Sequence, residues 1–159
     1  MIVPHRRPAG SKAPPPRLAA EPEDARRFGQ VRSARSGALL EDYAELIADL
    51  LAAEGEARTT DIARRLGVAH PTATKAIARL KREGLATARP YRGVFLTQAG
   101  HAMAERVRAR HRLVLAVLLA IGVPREAAET DAEGIEHYVS AATLDAFDRF
   151  LRRRARSDA

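Results

Sequence analysis

The chain has no cysteine and no tryptophan, and aromatic residues make up only 4% of its 159 residues. Without thiols there is no disulfide framework and no thiolate metal site. A cysteine-free composition also fits a reducing cytoplasm, where the chain is expected to work. The core has to be aliphatic, and a hydrophobic content of 46% can supply it. Long apolar runs are missing as well. The longest, Leu113 to Val123, falls well short of the ~20 residues needed to cross a bilayer and reads as a buried helix. Met1 to Gly10 mixes charges with prolines and has no apolar signal region, so neither a membrane nor an export route is expected. No glycine-rich phosphate loop and no Ser/His/Asp arrangement stands out, which argues against an enzyme.

Negative charge is the remaining shortfall. Lys and Arg number 27 against 20 Asp and Glu, a formal net charge of +7. Such a balance points to a polyanionic partner, with nucleic acid as the first candidate. Part of the excess lies at the ends. Arg6, Arg7, Lys12, Arg17, Arg26, Arg27, Arg32 and Arg35 outnumber Glu21, Glu23 and Asp24 in a stretch containing Pro14-Pro15-Pro16. With neither helical nor strand periodicity, residues 1–36 are expected to form a flexible basic tail. It could add non-specific phosphate contacts, although a solvated linker suits the composition equally well. Residues 153–159 read as a second basic tail.

Between the tails the pattern is helical. Leu39, Leu40, Tyr43, Ile47 and Leu50 recur at spacings of three and four, and the run stops near Gly55. A short helix over 61–66 follows, with Thr59 or Thr60 placed to cap it and Gly67 to end it. Pro71 suits the first turn of the next helix, which runs to Gly84. Short strands over 85–88 and 94–96 flank a Pro90-Tyr91-Arg92-Gly93 turn and form a hairpin. A long helix extends from Thr97 to Ile121, then shorter ones over about 125–138 and 142–153. This order predicts a mainly α fold: an N-terminal winged helix-turn-helix over 37–99, then an all-helical domain over 100–152.

A helix, a tight turn, a second helix and a wing form a reader of double-stranded DNA. His70, Pro71, Thr72, Thr74, Lys75 and Arg79 mark the recognition helix, and Arg92 the wing tip. Short polar groups near a helix N-terminus can reach base edges, while Lys75, Arg79 and Arg92 suit phosphates or guanine. One such domain reads few bases, so a two-fold homodimer is expected.

Six further side chains have the chemistry of metal ligands. Asp42 and Glu45 are three residues apart and share a helix face. Glu133, Glu136 and His137 share another, and His111 lies on the long helix between. Four carboxylates and two imidazoles can hold one or two divalent ions. Oxygen-rich ligation without sulfur suits Mn(II) or Fe(II), with Zn(II) a tighter competitor on affinity alone. Taken singly, each residue could equally belong to a solvated charged face. Their grouping around a winged helix carries the metal reading.

These segments resemble the manganese-regulator branch of the diphtheria-toxin-repressor-like family of metal-dependent repressors. The resemblance rests on Leu40-Glu41-Asp42-Tyr43-Ala44-Glu45, Gly67-Val68-Ala69-His70-Pro71-Thr72 and Pro90 to Thr97, with Arg110-His111 and Asp131 to His137. It covers about residues 37–152. It implies a homodimer with a helical dimerisation domain and a two-ion manganese site on Asp42, Glu45, His111, Glu133, Glu136 and His137. In iron-sensing relatives a softer sulfur ligand stands at the position of Glu136, so Glu here favours manganese. Two departures are visible. A familiar His-His pair is His137-Tyr138 here, and a chain ending at Ala159 implies no extra C-terminal domain.

The implied function is a manganese(II)-responsive repressor that binds a palindromic operator and shuts off metal-uptake genes. An iron(II)-responsive repressor of the same family and a winged-helix regulator without metal control remain alternatives. Glu133-x-x-Glu136-His137 also lies one residue from an inverted zinc-protease pattern, but the first histidine of that pattern is replaced by glutamate.

Overall fold

The computed structural model describes residues 21–89 and 93–157. Along the chain these form α1 (Glu21–Glu54), α2 (Thr59–Arg65), α3 (His70–Arg82), β1 (Ala86–Arg89), β2 (Gly93–Leu96), α4 (Gln98–Ala120), α5 (Arg125–Ile135) and α6 (Ala141–Ser157). The mainly α winged helix-turn-helix with a following helical unit is therefore the observed architecture.

Leu40, Tyr43, Ala44, Ile47 and Leu50 of α1 are all buried and form one stripe at helical spacing. They pack with Ile62 of α2, with Ala73, Ile77 and Leu80 of α3, and with Val94 and Leu96 of β2. Leu39, counted into the same stripe on spacing, is instead exposed. The strands pair antiparallel, Ala86 opposite Leu96 and Arg89 opposite Gly93. Ala57, just before α2, adds an isolated antiparallel bridge to Val94, whose N–H donates to the Ala57 carbonyl at 2.8 Å. Gly93 makes this approach possible. Its φ is +82°, and a Cβ there would lie 2.5 Å from the Ala57 oxygen.

The two units join at the start of α4. Thr97 caps the helix by accepting from the Gly100 N–H at 3.2 Å, and its hydroxyl donates to the Gly84 carbonyl at 2.7 Å. A Cβ on Gly100 would stand 2.0 Å from the Leu85 oxygen, so only glycine lets α4 sit this close to the backbone just before β1. Beyond the joint, Val107, Val114 and Val117 of α4 and Ala128 and Ala132 of α5 are buried, and α4 packs against α1, α5 and α6.

The helix ends depart from the sequence expectations most clearly in three places. First, residues 21–36 are helical, not a tail, because α1 begins at Glu21. An apolar stripe is what marks a helix in sequence, and this segment has none. Residues 1–20 of the expected tail lie outside the described residues. Second, α6 continues to Ser157 through the arginines expected to form a C-terminal tail. Arginine is a good helix former, and cations suit a helix C-terminus. Third, neither Thr59 nor Thr60 caps α2. The N-cap is Arg58, without a side-chain cap, and its carbonyl accepts from Asp61 and Ile62 at 3.0 Å. Among the described residues no helix is long and apolar enough to cross a membrane.

Candidate metal centre and nucleic-acid face

The buried stripe of α1 leaves Glu41, Asp42, Glu45 and Asp49 along its edge, facing α4 and the end of α5. On α5 the buried positions Ala128 and Ala132 are followed at the same spacing by Glu136, which is only 1% exposed. Among the described residues Glu136 is the most deeply buried charged residue. A carboxylate in that setting is costly unless it is paired. Its Oε2 lies 2.7 Å from Nδ1 of His111 on α4. Glu133 Oε1 lies 3.5 Å from the same nitrogen, and ligand atoms of His111, Glu133 and Glu136 all fall within 4.8 Å of one another.

His137 extends this group toward α1. Its Nε2 is 2.9 Å from Asp42 Oδ1 and 3.5 Å from Glu136 Oε1, and its Nδ1 is 2.8 Å from Glu41 Oε2. Glu45 lies 3.8 Å from the Arg108 guanidinium, which also pairs with Asp49 and Glu105. Asp42, Glu45, Asp49, Glu133, His137 and Tyr138 line a cavity of about 660 Å³ between α1 and α5. All six residues expected to hold metal thus surround one region, with the tightest grouping on His111, Glu133 and Glu136.

The electrostatics show what this donor set lacks. Burial pushes the Glu136 carboxyl up despite the hydrogen bond from His111. Burial, then the neighbouring Glu136 and Asp49, pushes Glu45 up as well. Hydrogen bonds to Asp42 and Glu41 hold His137 charged, with its pKa raised to about 10. Burial works against Glu41, but hydrogen bonds from His137 and Arg110 outweigh it and lower its pKa. In sum, protons and arginines stand where carboxylates need positive charge. A divalent cation fits that deficit, and two imidazoles among oxygen donors suit a borderline or hard metal ion.

Arg108 and Asp49 were not singled out in the sequence, and Glu41 and Arg110 entered only as members of the matching motifs, without a role. Glu41 carried one usable signal, its i,i+4 spacing to Glu45 on the metal-facing edge of α1. Nothing in the spacing marked the two arginines.

On α3, Ala73, Ala76, Ile77 and Leu80 are buried, leaving His70, Pro71, Thr72, Thr74 and Lys75 exposed as one face. The Thr74 hydroxyl donates to the His70 carbonyl at 2.9 Å. Arg79 differs from expectation. Its guanidinium is turned to α1, donating to the Ser36 carbonyl at 3.1 Å, the Ser36 hydroxyl at 2.7 Å and Glu83 at 2.7 Å. It ties α3 to α1 because position 79 falls at the edge of the buried stripe, beside Leu80. Arg92 lies outside the described residues. On the wing, Arg89 stacks over Phe95 at 5.3 Å from the ring centre.

A winged helix whose first helix also lines a carboxylate–imidazole cluster defines a metal-responsive DNA-binding regulator. Residues 37–94 match the family model for the iron dependent repressor N-terminal DNA binding domain. Residues 97–158 match that for the iron dependent repressor metal binding and dimerisation domain. The transcriptional regulator MntR of Escherichia coli O157:H7 is 48% identical over 136 residues, covering 86% of this chain and 88% of that protein. Among solved structures, the manganese regulator SloR is similar at a TM-score of 0.64 and 26% identity, over 71% of this chain and 53% of SloR. A manganese-dependent transcriptional repressor in complex with manganese is similar at a TM-score of 0.59 and 30% identity, over 70% of this chain and 51% of that one. Those two chains are thus about twice as long as the part this chain matches. The chain belongs to the iron-dependent-repressor family, and is a metal-responsive, DNA-binding transcriptional repressor rather than an enzyme.

Proposed function

We propose that this repressor responds to manganese(II), and that Asp42, Glu45, His111, Glu133, Glu136 and His137 hold the metal, as two ions per subunit. The observation that carries this is the buried Glu136 carboxylate beside His111 at 2.7 Å, with Asp42 reached through His137. Oxygen donors outnumber nitrogens and sulfur is absent, which suits manganese. Both similar repressor structures are of manganese regulators. Iron(II) is the second reading, favoured by the same oxygen and nitrogen donors.

A divalent cation supplies the positive charge that four clustered carboxylates need in order to stay ionised together. The protein's part is to distribute those carboxylates over separate elements. Asp42 and Glu45 belong to α1, whose buried face is part of the DNA-binding core. His111 belongs to α4, and Glu133, Glu136 and His137 to α5 and the turn after it. Charge balance at the cluster therefore biases the angle at which the DNA-binding unit sits on the helical one. In a two-fold homodimer that angle sets the separation of the two α3 helices, and one separation fits successive major grooves of a palindromic operator. On this reading residues 37–99 read DNA, through His70, Pro71, Thr72, Thr74, Lys75 and Arg92, and residues 100–152 dimerise. Exposed Ile121, Ile135 and Phe150 on the helical unit support such pairing. The setting is cytoplasmic, and the targets are manganese-uptake genes.

Fluorescence anisotropy on the chain's own promoter fragment tests this, with titration by Mn(II), anaerobic Fe(II) and Zn(II) at fixed salt. The expected result is at least tenfold tighter binding with Mn(II), reversed by chelator. Binding that ignores Mn(II) and chelator alike would overturn the metal switch, and a response to Fe(II) alone would select the second reading.

A further inference from the structure

Glu41 precedes Asp42 on α1, yet its contacts lead away from the compact donor group. Its Oε2 lies 2.8 Å from Nδ1 of His137 and also receives the Arg110 guanidinium. Each of three elements therefore supplies two adjacent residues to the same region: Glu41 and Asp42 from α1, Arg110 and His111 from α4, Glu136 and His137 from the end of α5. Asp42, His111 and Glu136 belong to the carboxylate–imidazole cluster. Arg110, Glu41 and His137 form a chain of charge-assisted contacts beside it.

His137 is where the two meet. Glu41 holds Nδ1, while Nε2 faces Asp42 at 2.9 Å and Glu136 at 3.5 Å. A neutral imidazole has one N–H and one lone pair, and the hydrogen bond made by one nitrogen decides which is which. A carboxylate accepting from one nitrogen also makes the other a better donor to metal.

We propose that Glu41 is a positioning residue that acts through His137: it accepts the Nδ1–H and so presents Nε2, beside Asp42 and Glu136, as the metal-binding nitrogen. Arg110 holds Glu41 in that pose. Among the described residues Arg110 Nε has no hydrogen-bond partner, and the guanidinium makes its ion pair through its terminal nitrogen. Glu41 is itself tied to two cationic groups and serves as support rather than as a seventh ligand. This role rests on the metal-centre reading above.

The test uses the full chain labelled with ¹⁵N-histidine and loaded with ¹¹³Cd(II), whose spin couples to the nitrogen it binds. In the unsubstituted chain the His137 coupling is expected at Nε2. In Glu41→Ala it should vanish or move to Nδ1, with Mn(II) affinity, read by electron paramagnetic resonance, falling about 10- to 100-fold. Glu41→Gln keeps an acceptor oxygen and should retain the Nε2 coupling with a smaller loss. A merely structural role would lower melting temperature without moving the bonded nitrogen. If Glu41→Ala does not fold, Arg110→Gln carries the test: Nε2 coupling kept, Mn(II) affinity reduced severalfold. Unchanged Nε2 coupling and Mn(II) affinity in Glu41→Ala, or in Arg110→Gln in its place, overturns the role and leaves the centre standing. Absence of any His137 coupling in the unsubstituted chain overturns the centre and this role with it.

Discussion

Glu136 Oε2 lies 2.7 Å from Nδ1 of His111, joining the end of α5 to the middle of α4 through a carboxylate that solvent does not reach. Both groups come from helices whose other buried positions are glycine, alanine and valine. An ionisable pair in an otherwise aliphatic layer adds little to stability in its own right. Its value lies in what it can bind.

Glu136→Gln separates those two roles. The amide keeps the shape and an acceptor for His111 but removes the buried charge. Thermal melts in chelator should show the variant as stable as the unsubstituted chain or more so, by about 1 kcal/mol. Mn(II) affinity should fall at least about 100-fold, more than loss of an outer supporting partner costs. A variant that loses stability in chelator while keeping its Mn(II) affinity would remove Glu136 from the ligand set.

The pH dependence of the metal-free protein has a definite sign. Hydrogen bonds that His137 donates to Asp42 and Glu41 raise its pKa from 6.5 to about 10. Its contribution to stability is therefore complete below pH 6.5 and is lost as pH rises toward about 10. Glu45 and Glu136, both raised from 4.5, act in the same direction starting from a lower pH. Glu41 is lowered, so its contribution is present above 4.5 and disappears only in acid below that. The melting temperature in chelator should fall between about pH 6.5 and 10. Mn(II) affinity should rise over the same interval, because binding must displace the His137 proton. Calorimetry in buffers of different ionisation enthalpy would count the protons released, and zero would contradict this account.

At the joint between the two units, Gly100→Ala should be severely destabilising. A Cβ would stand 2.0 Å from the Leu85 oxygen, against backbone that cannot rotate away. The expected loss is about 3 kcal/mol or more, read by urea denaturation. Gly134→Ala is the control. Among the described residues nothing lies within 4 Å of its would-be Cβ, and alanine favours a helix, so stability should hold or improve.

Lys75 and Arg79 share α3 but should answer different assays. Lys75→Ala should weaken DNA binding uniformly across sequences and reduce the salt slope by about one. Arg79→Ala breaks the contacts to Ser36 and Glu83, so it should lower stability and leave the salt slope unchanged. Equal salt slopes for the two variants would return Arg79 to the phosphate-binding face.

Helices with a buried stripe were legible from residue spacing. Tyr43, Ile47, Ile77 and Leu80 mark positions that must be covered, and covering them dictates α1 against α3. The winged form followed from Gly67, Pro71 and the turn before Val94. What spacing could not reveal is what happens where no apolar period exists. The first turns of α1 and the last of α6 are helical without such a stripe. Arg79 shows a related limit, since a cation at the edge of a stripe can face solvent or a neighbouring helix. Within the cluster, Asp42, Glu45, Glu133, Glu136 and His137 could be grouped because each pair or triplet shares a helix face. Glu41 and Arg110 owe their place to contacts between residues 69 and 96 positions apart, which no local pattern records.

The length of α1 has a mechanical consequence. It is one continuous helix of 34 residues, roughly 50 Å long, and Asp42 and Glu45 lie well inside it. A rod clamped at an interior point turns as a lever about that point. A tilt of ~5° set at Asp42 would sweep the first turn of α1, ~30 Å away, through nearly 3 Å. Movements too small to notice among the carboxylates would thus arrive at the far end of the helix at a size that a packed interface has to register.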